Sequence, residues 1–144
     1  MIYWFTGQPG AGKTTLAKYL MEHFPKDNAI HIDGDDLRNA FNNKDYSEYG
    51  RRANVERAQY IARFLNSKGF DVVVSLVAPY KDQRDQFKIQ DSVTEIYVHT
   101  SEIRGRESFH VSDYQPPTED FIELDTTIKN ETDSFYELLK KLSL

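Results

Sequence analysis

The chain begins with a glycine-rich stretch, GQPGAGKTT at residues 7–15, that carries a lysine and two threonines. Residues 7–14 match the pattern GxxxxGK[ST] in full, which predicts a phosphate-binding loop between a strand and a helix. The glycines let the backbone curl so that successive N–H groups point into one concavity suited to phosphate oxygens. The residues that we expect to bind the phosphates are Gly7, Gly10, Ala11, Gly12, Lys13, Thr14 and Thr15.

Two side chains of this loop have further predicted roles. Lys13 can reach the β- and γ-phosphates of ATP or GTP and stabilise their charge, and the Thr14 hydroxyl can ligate Mg²⁺. A helix that starts near Lys13 would aim its positive dipole end at the same phosphates. The alternative is a glycine-rich turn that only joins a strand to a helix. The full match, with a strand before it and a helix after it, favours nucleotide binding.

A pair of carboxylates follows the second apolar run of the chain, at Asp33-Gly34-Asp35. Parallel sheets place functional groups beyond the carboxyl ends of their strands. A carboxylate there can accept a proton from an attacking hydroxyl, or hold Mg²⁺ directly or through water. The alternative is an Asp-Gly turn whose aspartate caps the next helix. The phosphate loop upstream favours the functional interpretation.

The elements that must position these residues alternate between short apolar runs and amphipathic runs. The predicted strands are Ile2–Thr6, Ala29–Ile32, Phe70–Ala78, Val93–His99 and Phe121–Leu124. The predicted helices are Lys13–Phe24, Asp36–Phe41, Arg51–Lys68, Asp82–Gln90 and Thr132–Leu142. Strands that alternate with helices imply parallel βαβ units. We therefore predict an α/β fold: a P-loop NTPase-type three-layer sandwich around a mostly parallel sheet of about five strands.

Composition limits the remaining function classes. With 144 residues, the chain is expected to form a single domain over its whole length. A net charge of −5 argues against a nucleic-acid partner bound through bulk charge. The absence of cysteine excludes thiolate chemistry and fits a reducing cytoplasm. No apolar run is long enough to predict a membrane span, so we expect a cytoplasmic protein without a membrane partner.

The type of nucleotide protein follows from motifs that are missing. A signalling GTPase usually carries NKxD and DxxG motifs. Asn43-Lys44-Asp45 is a near miss because the aspartate comes one position early, and none of the seven glycines follows an aspartate by three residues. A motor or transporter ATPase normally needs a longer chain. A small-molecule kinase fits, since it needs only a phosphate loop, a magnesium site, an acceptor pocket and a lid.

Segments outside the phosphate loop carry a resemblance to a known family. They are Trp4–Gly7 (WFTG), Asp33–Arg38 (DGDDLR), Tyr46-Ser47 followed by Arg51, Asn54 and Arg57, Val74–Arg84 (VSLVAPYKDQR), Asp113–Pro117 (DYQPP) and Leu124–Thr126 (LDT). In these segments the chain resembles the adenylylsulfate kinase family. The resemblance implies ATP-dependent phosphorylation of the 3′-hydroxyl of adenosine 5′-phosphosulfate (APS), with ATP and Mg²⁺ as the required cofactors.

The same resemblance implies roles for individual residues. Asp35 is then the catalytic carboxylate and, with Thr14, a metal ligand. The residues implied to bind the acceptor are Asp33, Arg38, Tyr46, Arg51, Asn54 and Phe109. Arginine binds phosphate or sulfate through two parallel hydrogen bonds, and an aromatic face stacks on a base. The alternatives are a solvated helix face for Arg51 and an aromatic cap on the core for Tyr46.

The chain departs from the family's pattern at the lid. The family's long lid is largely missing, because Glu102–Phe109 leads almost directly to Asp113, and we place a short lid at about residues 104–118. In it, Phe109 stands where the family has a second base-stacking phenylalanine. The lid arginine that the resemblance places over ATP is Arg104 or Arg106.

A shortened lid leaves three functions open. The first is the phosphorylation of APS, and the second is phosphorylation of another nucleotide-linked or small hydroxyl compound. The third is a nucleotide-binding module without catalysis, against which the presence of Asp35 and Arg38 counts. The expected partner is in each case a small, nucleotide-like molecule, and a homodimer is compatible with the sequence.

Overall fold

The structure is a computed structural model that describes every residue except Arg106, and the side chain of Ser108 is also outside the description. The predicted role of Arg106 therefore lies outside the described residues. The strands are β1 (Ile2–Thr6), β2 (Ala29–Asp33), β3 (Asp71–Ser75), β4 (Val93–His99) and β5 (Ile122–Asp125). Within the described chain they form one sheet in the order β2-β3-β1-β4-β5, with parallel pairings throughout. The predicted mostly parallel α/β sheet is confirmed.

Helices connect these strands. They are α1 (Lys13–His23), α2 (Gly34–Phe41), α3 (Glu48–Ser67), α4 (Lys81–Gln90) and α5 (Glu131–Leu142), and a short 3₁₀ turn covers Glu107–Phe109. Among the residues that the structure describes, no helix combines the length and apolar character needed to cross a membrane.

The two faces of the sheet bury different side chains, as the alternation along a strand requires. Trp4 packs on one face against α3, where Ala58 is fully buried. Phe5 points to the other face and packs with Leu20 of α1 and Leu138 of α5. Helices therefore cover both faces, and the predicted three-layer sandwich is confirmed.

The strand order places the candidate residues at one edge of the sheet. β1 lies between β3 and β4, and the phosphate loop follows its last residue. In the parallel register, Asp33 at the end of β2 pairs with Ser75 at the end of β3, and Ser75 pairs with Phe5. Since the carboxyl ends of parallel strands meet at the same edge, the loop and the first carboxylate converge there.

Helix α2 begins at Gly34, two residues earlier than predicted. The cause is the Asp33 side chain, which accepts a hydrogen bond from the backbone N–H of Asp35 at 3.2 Å and so caps the helix. The capping interpretation of the Asp-Gly turn is therefore correct for Asp33, and it leaves the Asp35 side chain in the first turn of the helix.

Two further boundaries differ from the prediction by three residues. Helix α3 begins at Glu48 rather than Arg51, because the Ser47 hydroxyl caps its first turn by accepting a backbone N–H at 3.4 Å. Strand β3 ends at Ser75 rather than Ala78. The apolar run continues, but the chain leaves the sheet, and Ala78 takes a left-handed conformation with φ of +45°. Periodicity alone does not show where an apolar run stops being a strand.

Candidate functional site

An open cleft of about 1620 Å³ is lined by the residues that follow β1, β2 and β3. Sites for one small ligand usually measure up to about 1,000 Å³, so this cleft has room for two ligands. Gly7 lies buried below the cleft instead of lining it. The predicted residues that do line it are Gly10, Ala11, Gly12, Lys13, Thr14, Thr15, Asp33, Asp35, Arg38, Tyr46, Arg51, Asn54, Arg104 and Phe109.

The phosphate loop has the backbone that its glycines predict. A Cβ atom on Gly7 would lie 2.1 Å from the carbonyl oxygen of Val98, so a larger residue there would displace β4. Gly12 has a φ of +111° directly before α1, a conformation that other residues rarely adopt. The loop can therefore wrap around a phosphate at the positive end of α1.

Lys13 is held inside the loop that it belongs to. Its side chain is only 8% exposed, and its Nζ donates a hydrogen bond to the main-chain carbonyl of Gln8 at 2.9 Å. The cation therefore lies along the curled backbone that would surround the phosphates, within the cleft itself.

A chain of hydrogen bonds joins the phosphate loop to the end of β2. The Thr14 hydroxyl donates to Asp33 Oδ1 at 3.1 Å, and the Ser75 hydroxyl donates to the same oxygen at 3.0 Å. His31 Nε2 lies 2.7 Å from Ser75 Oγ. Because the Ser75 hydroxyl donates its one hydrogen to Asp33, the imidazole must donate the hydrogen bond to Ser75. Burial lowers the pKa of His31, against the opposing effect of Asp33.

The oxygen atoms near Thr14 fit a magnesium ion. Mg²⁺ prefers hydroxyl, carboxylate and water oxygens, and usually takes only one or two ligands from the protein when it accompanies a nucleotide. Thr14, Asp33 and Asp35 all line the cleft, and both Thr14 and Asp35 are exposed to it. Over the described residues, no group of three or more histidine or acidic side chains forms a separate metal cage. The donor set therefore suits a metal that arrives with phosphates.

Arg38 and Tyr46 form one unit. The guanidinium carbon of Arg38 lies 4.1 Å from the centroid of the Tyr46 ring. Its Nη1 donates to the carbonyls of Asn43 at 3.2 Å and Asp45 at 3.0 Å, which holds the loop between α2 and α3. Tyr46 is 62% exposed in the cleft, so it does not cap the core.

Arg51 and Asn54 project from α3 into the same cleft. Arg51 Nη1 lies 3.5 Å from Asp113 Oδ1. Asn54 is buried, and its Nδ2 donates to the Gly34 carbonyl at 3.4 Å. In the described part of the chain no donor reaches Asn54 Oδ1, which leaves a buried acceptor available to a ligand. Arg57, on the same helix, instead lies over the ring of an exposed phenylalanine.

Arg104 binds the phosphate loop directly. Its Nη1 donates to the carbonyls of Gly10 at 3.3 Å and Ala11 at 3.2 Å, and to Thr126 Oγ1 at 3.1 Å. Thr126 is buried, and its hydroxyl donates to the Ala11 carbonyl at 2.9 Å. Thr126 lies in a segment that carried the resemblance, but no sequence motif predicted its contact with the loop.

Gln8 and Ser75 are also functional-site residues that sequence reasoning missed. Gln8 occupies a variable position of the loop pattern, and its side chain bonds twice to the backbone of Val111, both at 2.8 Å. Ser75 is the last residue of an apolar strand. The strand prediction placed Ser75 inside Phe70–Ala78, so only the observed end of β3 and its register show that Ser75 lies at a strand end beside Asp33.

Comparisons with known proteins agree with this geometry. A model of the family described as adenylylsulphate kinase matches residues 1–109. The adenylyl-sulfate kinase of Burkholderia ambifaria is 36% identical over 88 residues, which cover 59% of this chain and 49% of that protein. The adenylyl-sulfate kinase of Oceanobacillus iheyensis is 31% identical over 106 residues, covering 69% of this chain and 53% of that protein. The chain thus matches about half the length of these curated relatives.

Solved structures share the fold over nearly the whole chain. The APS kinase of Mycobacterium tuberculosis in complex with AMPPNP and APS aligns with a TM-score of 0.80 at 22% identity, over 99% of this chain and 97% of that one. A gluconokinase from Sinorhizobium meliloti aligns with a TM-score of 0.68 at 16% identity, over 98% and 90%. At these identities the alignments show the fold alone.

Proposed function

The chain belongs to the adenylylsulphate kinase family, and from that premise we propose that it transfers the γ-phosphoryl group of ATP to the 3′-hydroxyl of APS. One observation carries the proposal. A phosphate loop with a buried lysine and a set of arginine and aromatic side chains line the same cleft, together with Asp35. A kinase must bring two substrates into one such space.

The donor wall, residues 7–15, binds ATP in this proposal. The loop amides and Lys13 stabilise the negative charge on the phosphates, and Arg104 lies against the loop on the lid side. Thr14 and Asp35 would hold Mg²⁺, and Asp33 orients Thr14 by accepting a hydrogen bond from its hydroxyl at 3.1 Å. When bound, Mg²⁺ neutralises charge on the β- and γ-phosphate oxygens.

The acceptor wall consists of Arg38, Tyr46, Arg51 and Asn54. Tyr46 stacks on the acceptor base with Arg38 behind its ring, and Phe109 provides a second exposed aromatic surface in the cleft. Arg51 binds the anionic group of the acceptor through its guanidinium. Asn54 Oδ1 accepts a hydrogen bond from the acceptor, which gives this buried oxygen the partner that it otherwise lacks in the described residues.

Asp35 acts on the acceptor hydroxyl. Its carboxylate accepts the hydroxyl proton as the oxygen attacks the γ-phosphorus, and the bond from that phosphorus to the β-γ bridging oxygen breaks in line. ADP leaves with the bridging oxygen. Holding both substrates in one geometry supplies much of the rate enhancement.

A different hydroxyl acceptor is the second candidate. The lid is short, and Asp113 already lies 3.5 Å from Arg51, so an anionic acceptor must compete with a resident carboxylate. A neutral or sugar-linked acceptor would not meet this competition. A nucleotide-binding module without catalysis is the third candidate.

The test is a coupled ADP-release assay with MgATP and a panel of acceptors: APS, adenosine and cytidine nucleotides, and sugar nucleotides. We expect turnover with APS that exceeds turnover with every other acceptor. Robust turnover with another acceptor and none with APS would establish the second candidate. MgATP binding in calorimetry without turnover on any acceptor would establish the third.

Further parts of the proposal concern the protein as a whole. We propose that residues 1–144 act as one kinase domain with a short lid at about 104–118, in the cytoplasm, without a nucleic-acid or membrane partner. Its net charge of −5 supports the absence of nucleic acid. Light scattering of the purified protein tests whether it is a homodimer.

A further inference from the structure

Residues 111–115 form a short segment, here called the strap, that follows the 3₁₀ turn of the lid region. Its far end is anchored to the loop after β3 and to α4. Gln115 N–H donates to the Pro79 carbonyl at 2.9 Å, and Lys81 N–H donates to Gln115 Oε1 at 2.9 Å. Arg84, which is buried, donates from Nη2 to the Gln115 carbonyl. The strap therefore has a fixed end on the acceptor side of the sheet.

The middle of the strap contacts the end of β1 and the acceptor wall. Tyr114 OH lies 2.9 Å from the hydroxyl of Thr6, the last residue of β1. The Thr6 hydroxyl donates its hydrogen bond to the Val77 carbonyl at 2.6 Å, so the Tyr114 hydroxyl must donate to Thr6. Burial raises the pKa of Tyr114 to about 12, further above neutral pH than its usual value, so the phenol is protonated and can donate. Asp113 lies beside Arg51 of the acceptor wall.

The near end of the strap is held by Gln8 of the phosphate loop. Gln8 Nε2 donates to the Val111 carbonyl at 2.8 Å, and Val111 N–H donates to Gln8 Oε1 at 2.8 Å. The main-chain carbonyl of Gln8 accepts Lys13 Nζ at 2.9 Å and the Ala11 N–H at 3.3 Å. One residue thus bonds with its backbone to the catalytic lysine and with its side chain to the strap.

We propose that Gln8 is a positioning residue that couples nucleotide binding on the donor wall to the placement of the acceptor wall, through Val111 and the strap. The inference rests on the proposed function. When Lys13 turns to the phosphates, the Gln8 carbonyl loses that partner and the loop backbone settles on the nucleotide. The paired side-chain bonds carry this change to Val111, and the strap carries it to Asp113 and Arg51. A filled phosphate loop thereby sets the acceptor-binding geometry.

Hydrogen–deuterium exchange of the strap tests the coupling without knowledge of the acceptor. The probe is MgAMPPNP, and the exchange of the phosphate loop and of the strap is followed in peptides that separate the two. In the wild-type protein we expect nucleotide to slow exchange in both regions, with a change of about tenfold at the Val111 N–H. In Gln8→Met, which keeps the length and removes both hydrogen bonds, the loop should still be protected while the strap is not.

Two further variants complete the test. Gln8→Asn keeps the amide but is one methylene too short to make both bonds, so it should behave as Gln8→Met and serves if that variant does not fold. Gln86→Met, an exposed glutamine of α4 outside the cleft, should behave as the wild type. With APS as acceptor, we expect Gln8→Met to raise the acceptor KM about tenfold and to change the MgAMPPNP dissociation constant less than about twofold.

The outcomes separate the two proposals. Strap protection that survives in both Gln8 variants, or that is missing in a wild-type protein with a protected loop, overturns the coupling and leaves the kinase proposal intact. A wild-type protein that does not bind MgAMPPNP at all overturns both. Loss of strap protection in both variants, with the Gln86 variant unchanged, supports the positioning role.

Discussion

The donor wall and the acceptor wall of the cleft are built in different ways. The donor wall is one continuous stretch of backbone, residues 7–15, in which Lys13 is only 8% exposed. The acceptor wall gathers side chains from two helices and the loop between them, and its Tyr46 is 62% exposed. In the proposed function, donor recognition therefore depends on main-chain geometry, whereas acceptor recognition depends on side chains that separate elements bring together.

This difference predicts how each wall responds to substitution. The loop amides and Lys13 surround the same phosphates, so they stabilise the transition state together. Removing one of them should therefore cost most of that stabilisation. Side chains on separate elements contribute more independently, except for pairs in contact such as Arg38 and Tyr46. Substitutions in the donor wall should thus lower kcat strongly, and those in the acceptor wall should raise the acceptor KM more moderately.

The largest effect is expected for Lys13→Ala. Removing the cation that stabilises phosphate charge should lower kcat/KM for ATP about a thousandfold, as measured by ADP release. The matched control is Lys18→Ala, an exposed lysine of the same helix outside the cleft, which should keep nearly full activity. Circular dichroism must show that both variants fold. An equal loss of activity in the two variants would mean that activity depends on the total positive charge of α1, and not on the position of Lys13 in the loop.

The next effect is expected for Asp35→Asn, at the junction of the two walls. The amide cannot accept the acceptor's proton, so phosphoryl transfer should fall by at least about a hundredfold while MgATP still binds in calorimetry. The neighbouring Asp36→Asn provides the control, since Asp36 is also exposed in the first turn of α2 but lies outside the residues that line the cleft. Residual activity equal to that of the wild type would exclude Asp35 as the catalytic base.

The two walls also differ in how much of them the sequence predicts. The backbone shape of the phosphate loop could be predicted, because it follows from a contiguous pattern of glycines and one lysine, although Gly7 lies below the cleft instead of lining it. For the Asp-Gly turn, the sequence allowed two interpretations, a helix cap and a functional carboxylate. In the structure Asp33 caps the helix, and Asp35 lines the cleft. The bond between Gln8 and Val111 could not be predicted, since it joins residues 103 positions apart through a backbone segment without a motif.

A prediction for the acceptor wall compares two arginines of α3. Arg51→Met should raise the acceptor KM about thirtyfold with kcat changed much less, because it removes charge-assisted hydrogen bonds to the acceptor anion. Arg57→Met removes an arginine that lies over Phe41 outside the cleft and should leave the KM unchanged. A third variant, Asp113→Asn, tests the partner of Arg51. A lower acceptor KM in this variant would establish that Asp113 and the acceptor compete for Arg51. An Arg51→Met enzyme with an unchanged acceptor KM would remove Arg51 from the acceptor wall.

The smallest effect is expected for the stacking surface. Base stacking contributes about 1–3 kcal/mol, and for an exposed ring we expect the lower part of this range, so that Tyr46→Ala should raise the acceptor KM about tenfold at unchanged ATP affinity. Tyr46→Phe keeps the ring over Arg38 and should restore the wild-type KM, since the stacking needs the aromatic face and not the hydroxyl. Tyr49→Ala, which removes an exposed tyrosine outside the cleft, controls for the loss of a surface aromatic. Acceptors without a base should be insensitive to all three substitutions, so a KM change with such an acceptor would assign Tyr46 to the shape of the loop instead of to stacking.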